Sequence, residues 1–354
     1  MKLTRTLAFA SLFVVTSCGG SEPKKEEAPP PAPAAPPAPT ASKVPTGIEE
    51  MNVPADNPIT PEKVGLGKML FFDKRLGKDN KMSCETCHLP EKGWADGKQV
   101  STKFDGMPNT RNTPTLYNVG FYESWYWDGR APTLEAQIKA AWERQMGGDG
   151  AAVAMTLNGI DGYKTAFQSA MGGPATPENI VQALASFVRT IRSEDSAWDK
   201  FEKGDKAAVS DEVRAGFQVF RSNEKAQCTL CHTPPLYSDK SFHNLGIGSN
   251  KPMPDTGRGK ILADKKDPGA DAMMGAFKTP SLRSVTDTAP YFHDGSAKTL
   301  EEAVNTLLKG GVDNPHKDEK LKARMITDPE KKALISFLKA ISPTPAKFER
   351  PKLP

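Results

Sequence analysis

The sequence lacks a long apolar run, a strong excess of one charge and any sustained alternation of apolar and polar residues. Its N-terminal apolar stretch, residues 7–15, is too short to cross a bilayer. A formal net charge of +4 leaves no basic footprint for nucleic acid. Because strand-like alternation is missing, we expect helices to dominate, which excludes a thioredoxin-like βαβ unit.

Cysteine and histidine are scarce, with five of each in 354 residues. One cysteine, Cys18, follows the N-terminal apolar stretch. The other four form two C-x-x-C-H motifs, which are Cys84, Cys87 and His88 in the first and Cys228, Cys231 and His232 in the second. A structural zinc site would need both pairs in nearby segments, whereas these pairs lie in separate parts of the chain. Each motif should therefore hold a ligand of its own.

The N-terminus has the pattern of an export signal. Lys2 and Arg5 precede the apolar stretch, and "VTSC" ends at Cys18. Because "VTSC" resembles the lipobox of bacterial lipoproteins, we predict a signal peptide at residues 1–17 and a lipid on Cys18 as the only membrane attachment. Gly19 in place of Asp indicates the outer membrane. The alternative is an ordinary signal peptide with an incidental cysteine. The Pro/Ala-rich residues 18–48 should form an extended tether in the periplasm.

The rest of the chain repeats itself. Before each motif, a valine, a glycine three positions on and a phenylalanine seven positions on have helical spacing: Val64, Gly67 and Phe71, then Val213, Gly216 and Phe220. After each motif, "NTPTLYNVGFYESWYWDGRAPTLEAQ" aligns without a gap to "KTPSLRSVTDTAPYFHDGSAKTLEEA", and "ALASFVRTI" to "ALISFLKAI". We therefore predict an all-α chain with long loops: two domains related by duplication, residues 49–203 and 204–345, and a tail at 346–354.

In an exported, helical protein, the C-x-x-C-H motif supplies the attachment thiols and the iron ligand that c-type haem needs. Two thiols capture the vinyl groups, and the adjacent histidine binds the iron. We predict two covalently bound haems in cytochrome c-like domains, attached by the cysteines of the two motifs. His88 and His232 would be the proximal iron ligands.

Four segments together resemble the bacterial dihaem cytochrome c peroxidases, a superfamily that includes the tryptophan-modifying dihaem enzyme of methylamine utilisation. They are "LFFDKRLGKDNKMSCETCH", "RNTPTLYNVGFYESWYWDGRAPTLEAQ", "FKTPSLRSVTDTAPYFHDGSAKTLEEAV" and "LISFLKAIS". The resemblance implies that the N-terminal haem reduces hydrogen peroxide to water. Electrons would come from a small periplasmic cytochrome c or cupredoxin and enter at the C-terminal haem. Family members are often homodimers.

The same resemblance assigns several residues. Trp127 matches the tryptophan between the two haems, although it could also be a core aromatic. Asn112 and the carbonyls of Thr288 and Pro290 match an interdomain calcium site, and oxygen ligands suit calcium. Without the resemblance, Asn112 would be only a turn residue.

The distal pocket departs from the family pattern. Gln137 matches a distal glutamine that can hold peroxide or water. Gln145 stands where the family has a glutamate that acts as acid and base, and an amide cannot carry a proton as a carboxylate does. Glu143 could replace that glutamate; the alternative is a solvated helix residue.

Two further departures concern the irons. Leu307 stands at the usual sixth ligand of the C-terminal haem and cannot bind iron, so Met253, Met273 or Met274 could replace it, or the haem could stay five-coordinate. The resemblance also implies that some peroxidases of the family have a histidine that blocks the peroxidatic iron until the other haem is reduced. No histidine lies between Leu89 and Trp127, so we expect the N-terminal haem to need no reductive unblocking. The other three histidines are expected near the second haem or in loops: His293, His243 and His316.

Three functions follow from these observations. The first is a dihaem peroxidase. The second is a dihaem oxidase of a protein or small molecule, favoured by the missing blocking histidine and by Leu307. The third is an electron carrier with two inert, six-coordinate irons, which Gln145 favours modestly.

Overall fold

The computed structural model describes residues 51, 53–344 and 347–354. The predicted signal peptide and the whole predicted tether, including Cys18, lie outside these residues. The described part of the chain is mainly helical, as predicted, and none of its helices combines the length and apolar character needed to cross a bilayer.

Ten α-helices and two short strands are present in the described residues. In chain order the helices are α1 Pro61–Phe72, α2 Leu134–Gln145, α3 Gly150–Asn158, α4 Asp161–Met171, α5 Pro177–Arg189, α6 Ala197–Glu202, α7 Asp211–Arg221, α8 Gly257–Asp264, α9 Leu300–Leu308 and α10 Asp328–Ala340. The strands β1 (Phe242–His243) and β2 (Phe277–Lys278) pair antiparallel, with Phe242 opposite Lys278. The sequence did not predict this two-residue ladder, because it is too short to show an alternating pattern.

Local sequence explains where the long helices begin. Thr176 caps α5 by accepting a hydrogen bond from Asn179 N, and Pro177 occupies the first turn. In α10 the cap is Thr327, which accepts from Glu330 N, so Asp328 is already the first helical residue. Thr327 and Glu330 form a reciprocal capping box, in which each side chain accepts a hydrogen bond from the backbone N–H of the other residue.

One helix crossing occurs in both halves of the chain. Helix α1 packs on α5, and α7 packs on α10. A Cβ built on Gly67 would lie 2.0 Å from the carbonyl oxygen of Ala183, and one on Gly216 would lie 1.9 Å from that of Ala333. Only glycine allows the two backbones to approach this closely. The two crossings hold the segments that lead into the two C-x-x-C-H motifs.

The buried apolar residues form two clusters. The first extends from Val64 to Ile191 and includes Phe348 of the tail at its edge. The second extends from Trp198 to Ile341. Helix α6 packs against α10 and therefore belongs with the second cluster, although the sequence placed it before the boundary at residue 203. Its amphipathic pattern is too short to indicate which half it contacts.

Candidate functional site

Each C-x-x-C-H motif starts with one turn of 3-10 helix, Cys84–Thr86 in the first half and Cys228–Leu230 in the second. The turn is closed in the same way in both, by hydrogen bonds of 3.1 Å from His88 N to Cys84 O and 2.9 Å from His232 N to Cys228 O. All four cysteines are free thiols. The turn therefore presents two thiols and one imidazole together, as covalent haem attachment requires.

The hydrogen bonds of both motif histidines leave one ring nitrogen free to bind a metal. His88 Nδ1 is 2.8 Å from Trp94 O, and His232 Nδ1 is 2.9 Å from Tyr237 O. A carbonyl can only accept, so Nδ1 carries the proton and Nε2 keeps its lone pair for iron. Burial lowers the pKa of each imidazole and favours the neutral form that binds metals. These residues fit the proximal side of a haem.

A cavity of about 410 Å³ lies beside the first motif. Its lining includes Cys87 and His88 from the motif, together with Trp127, Gln137 and Gln145. The two glutamines lie on α2, eight positions and roughly 80° apart around the helix, so they share one face. Among the described residues, His88 is the one histidine in this lining. We call this space the N-terminal cavity.

Glu143 does not join this group. Its side chain is 48% exposed, and its carboxylate lies 3.8 Å from the ammonium of Lys139. It stands roughly 160° around α2 from Gln145, so the helix turns it away from the N-terminal cavity. The prediction that Glu143 could stand over the iron does not agree with this position, which is that of a solvated helix residue.

A cluster of charges that the sequence analysis did not find borders the N-terminal cavity. Arg111 donates to Asp128 at 2.6 Å and to both oxygens of Asp255 at 2.6 and 2.8 Å. Arg130 donates to Asp128 at 2.8 Å. Burial opposes ionisation of Asp255, but its hydrogen bonds to Arg111 hold the pKa of that carboxyl below its usual range. Arg111 and Asp128 lie in or next to the repeated segments, which was the available signal.

A second space, the C-terminal cavity, has a volume of about 260 Å³. Its lining includes Cys228, Cys231 and His232. Leu307, at the predicted sixth-ligand position, also lines it. The second motif therefore opens on a cavity of its own, like the first.

The three methionines considered as substitute ligands do not line the C-terminal cavity. Met253 is 90% exposed to solvent. Met273 and Met274 are partly buried, yet neither is part of the lining. Within the described residues, no methionine faces this cavity, so thioether ligation of the second iron has no support here.

Two histidines besides His232 do line the C-terminal cavity. His243 uses both ring nitrogens on carboxylates, Nε2 with Asp239 at 2.8 Å and Nδ1 with Asp318. Carboxylate oxygens can only accept, so both ring nitrogens of His243 carry a proton and neither has a free lone pair for iron. While Cys231 is a free thiol, hydrogen bonds to Cys231, Asp318 and Asp239 raise the pKa of His243 to about 10. His293 stacks on Phe277 with ring centroids 3.6 Å apart.

The remaining histidine, His316, plays no part in either cavity. It lies in the loop after α9, where its backbone N–H binds Asn314 Oδ1 at 3.1 Å. This position agrees with the loop assignment made from the sequence.

The two cavities share a wall. It consists of residues that line both spaces, namely Asn112, Thr113, Pro114, Thr115, Trp127, Lys278, Pro280 and Ser281. Trp127 Nε1 donates to Asn112 O at 2.9 Å, and Trp127 O accepts from Lys278 N at 2.8 Å. Trp127 is therefore fixed in the partition by one residue from each repeated segment.

Lys278 is the one ionisable side chain among these wall residues, and the sequence did not predict it. Its ammonium donates to Ser124 O at 2.6 Å and lies 4.0 Å from the centre of the Tyr122 ring. Burial lowers the pKa of Lys278 to about 7. Nothing in the sequence marks a lysine next to Thr-Pro as buried.

The residues of the predicted calcium site all line the C-terminal cavity: Asn112, Thr288 and Pro290. The amide nitrogen of Asn112 donates to Lys98 O at 2.9 Å and Gln99 O at 3.3 Å. Its Oδ1 is therefore the atom that it could offer to a cation. The three residues lie in one region, where Asn112 N also donates to His293 O at 2.7 Å.

Comparison with known proteins gives the chain its family. The model of the di-haem cytochrome c peroxidases matches residues 61–207. Methylamine utilization protein MauG of Methylorubrum extorquens is 36% identical over 97% of this chain and 94% of its own length. Cytochrome-c peroxidase IdrP1 of Denitromonas iodatirespirans is 37% identical over 85% of this chain and 87% of its own.

Solved structures agree. A MauG-like protein associated with microbial copper homeostasis superposes with a TM-score of 0.76 at 30% identity, over 85% of this chain and 95% of its own. The diheme peroxidase BthA of Burkholderia thailandensis, at 21% identity, shares the fold with a TM-score of 0.69 over 83% of this chain and 92% of its own. With two C-x-x-C-H motifs facing two adjoining cavities, the chain belongs to the di-haem cytochrome c peroxidase family.

Proposed function

We propose that this protein reduces hydrogen peroxide to water at a haem held by Cys84, Cys87 and His88. Electrons from a small redox protein enter at a second haem held by Cys228, Cys231 and His232 and cross by way of Trp127. Family membership makes the chain an oxidoreductase that acts on peroxide, with two haems. The observation that carries the proposal is the shared wall, in which Trp127 lines both cavities.

The N-terminal cavity suits a peroxide-binding site. The haem, when bound, supplies an iron that accepts peroxide oxygen and stores oxidising equivalents. His88 holds its proximal side, and Gln137 and Gln145 bring two amides to the cavity lining. Each amide can donate to one peroxide oxygen and accept from the other. No second histidine of the described chain lines this cavity, so we propose an iron that is open without prior reduction of the other haem.

Proton delivery at this site does not use Glu143. The carboxylates in the cavity lining are Asp128 and Asp255, and both are bound to Arg111. An aspartate held as an anion by a guanidinium is a poor acid. We propose that water held between Gln137 and Gln145 carries the protons, which would make O–O cleavage slower than with a glutamate in place of Gln145.

The C-terminal cavity suits electron entry. Lys320, Lys322 and Arg324 contribute to its lining, and both lysines are exposed. Leu230, 38% exposed, adds an apolar contact beside the second motif. Cations around an apolar centre suit a small acidic donor, either a cytochrome c or a cupredoxin.

We assign three further features to the protein. A calcium ion at Asn112, Thr288 and Pro290 would hold the repeated segments together. The two halves, 49–203 and 204–345, descend from one duplicated cytochrome c-like domain with long loops, which the twin helix crossings support. Export by residues 1–17 and a lipid on Cys18 would place the protein in the periplasm, at the outer membrane, where two copies would form a homodimer.

The second candidate function is oxidation of a protein or small molecule by the oxidised haems. Leu307 favours it, and so does the fact that no methionine of the described residues lines the C-terminal cavity. Relatives named MauG are 35–36% identical to this chain. A C-terminal haem without thioether ligation is easier to oxidise, so it would retain oxidising equivalents for longer.

One experiment separates these functions. Peroxide consumption by the purified dihaem protein is followed with a reduced small acidic cytochrome as donor, while the haem spectrum is recorded. Sustained turnover supports the peroxidase. A long-lived oxidised spectrum with little turnover supports the second function. Failure of cyanide to bind the ferric protein would overturn both, because it would indicate two inert, six-coordinate irons.

A further inference from the structure

The C-terminal residues 347–354 lie against the first half of the chain and form what we call the strap. Phe348 stacks on Phe72 with centroids 5.3 Å apart and meets the edge of Trp94 at 5.0 Å. The ammonium of Lys68 lies 4.6 Å from the Phe348 ring centre. The strap follows α10 of the second half, so it carries the chain back to the N-terminal cluster.

Ion pairs fasten the strap next to the first motif. Arg350 pairs with Glu91 at 2.7 Å and also with Glu85. Glu85 lies between the two motif cysteines. Further along, Arg75 donates to Pro354 O at 3.0 Å. The strap is thus attached at two points beyond Phe348, and the first of these points is on the haem-attachment turn itself.

Trp94 connects the strap to the iron ligand. Its carbonyl oxygen lies 2.8 Å from His88 Nδ1. Its φ is +59°, a conformation that costs a bulky side chain free energy and persists only where packing enforces it. The aromatic rings around Trp94 are those of Phe71, Phe187 and Phe348.

The second half has the same arrangement without the strap. Tyr237, at a φ of +55°, presents its carbonyl to His232 and packs on Phe220 and Phe337. These two rings occupy the repeat positions of Phe71 and Phe187. Phe348 is therefore an addition to the N-terminal site, and the C-terminal site is an internal control.

We propose that the strap positions His88. Phe348 packs on Trp94 and thereby holds the Trp94 carbonyl, which accepts the hydrogen bond from His88 Nδ1–H. This inference rests on the proposed attachment of a haem at Cys84, Cys87 and His88. A carbonyl bonded to Nδ1–H increases the electron donation of the imidazole and lowers the reduction potential of the iron that it binds. The strap would thus tune the peroxide-reducing haem and leave the other unchanged.

The test is Phe348→Ala in the full dihaem protein, with the reduction potential of each haem measured by spectroelectrochemical titration. We expect the potential of the N-terminal haem to rise and that of the C-terminal haem to stay unchanged. Phe348→Tyr, which keeps the ring, should restore the original potential. Glu349→Ala, an exposed neighbour in the strap, is the matched control and should change neither potential.

A second variant covers the case in which Phe348→Ala does not fold. Phe348→Leu keeps part of the apolar contact with Trp94 and changes no charge, so it should raise the same potential by a smaller amount. An unchanged N-terminal potential in the folded variants, or an equal shift of both haems, would overturn the proposal. The haem content of the unmodified protein is a separate check: fewer than two haems per chain would refute the attachment itself.

Discussion

The position of a side chain around α2 decides its role, as a comparison of Gln137, Gln145 and Glu143 shows. The two glutamines line the N-terminal cavity, whereas Glu143 faces solvent beside Lys139. The sequence could identify all three by their spacing from the "APTLEAQ" segment. It could not decide between Gln145 and Glu143, because the side of α2 that faces the cavity depends on tertiary packing.

At the residue scale we predict that Glu143→Gln leaves peroxide turnover within about a factor of two, because an exposed carboxylate takes no part in the chemistry.

Gln137→Leu removes an amide from the cavity and should reduce kcat/KM for peroxide roughly ten-fold, the equivalent of one hydrogen bond. Both are measured by steady-state peroxide consumption at equal haem content. A ten-fold loss in Glu143→Gln would return this carboxylate to the mechanism.

At the scale of elements, the two crossings α1–α5 and α7–α10 organise each half around one glycine. Helices α1 and α7 could be predicted, since the Val-Gly-Phe spacing is a local pattern. The close approach at Gly67 and Gly216 could not, because a glycine inside a helix gives no indication of which backbone it meets. The same holds for α6, whose partner lies far along the chain.

We predict that Gly216→Ala destabilises the second half by about 1–3 kcal/mol, since the new Cβ would lie 1.9 Å from Ala333 O. In an isolated helix, alanine is more stable than glycine by about 1 kcal/mol. The sign of the change in unfolding free energy therefore shows whether packing or helix propensity dominates. Thermal unfolding followed by circular dichroism is the measurement. Gln218→Ala, at an exposed position of α7, is the control and should change stability by under about 0.5 kcal/mol. A stabilised Gly216→Ala would show that the helices can separate at no cost.

At the scale of the whole molecule, contacts distant in sequence connect the two halves. Arg111 joins Asp255, Lys278 joins Ser124, and the strap returns to Trp94. Sequence patterns did not predict these contacts, because a local motif does not show which distant residue it meets. The repeated motifs did predict that there would be two sites, and the cavities beside Cys87 and Cys228 agree with that expectation.

Electron entry belongs to this scale, because it depends on the charge distribution of the surface. We predict that Lys320→Glu with Lys322→Glu lowers kcat/KM for an acidic donor roughly ten-fold at low salt, and that raising the ionic strength reduces this difference. The KM for peroxide should not change. Lys265→Glu, an exposed lysine outside both cavity linings, is the control. Equal effects of the two charge reversals would mean that the donor docks elsewhere.

The shared wall has a consequence for how this protein can vary over time. The wall residues each border both cavities: residues 112–115 and Trp127 come from one half, and Lys278, Pro280 and Ser281 come from the other. A replacement there is pleiotropic, because it alters both compartments at once. Residues that line one cavity can drift separately, so the halves are free to diverge at their outer walls while the partition between them changes slowly.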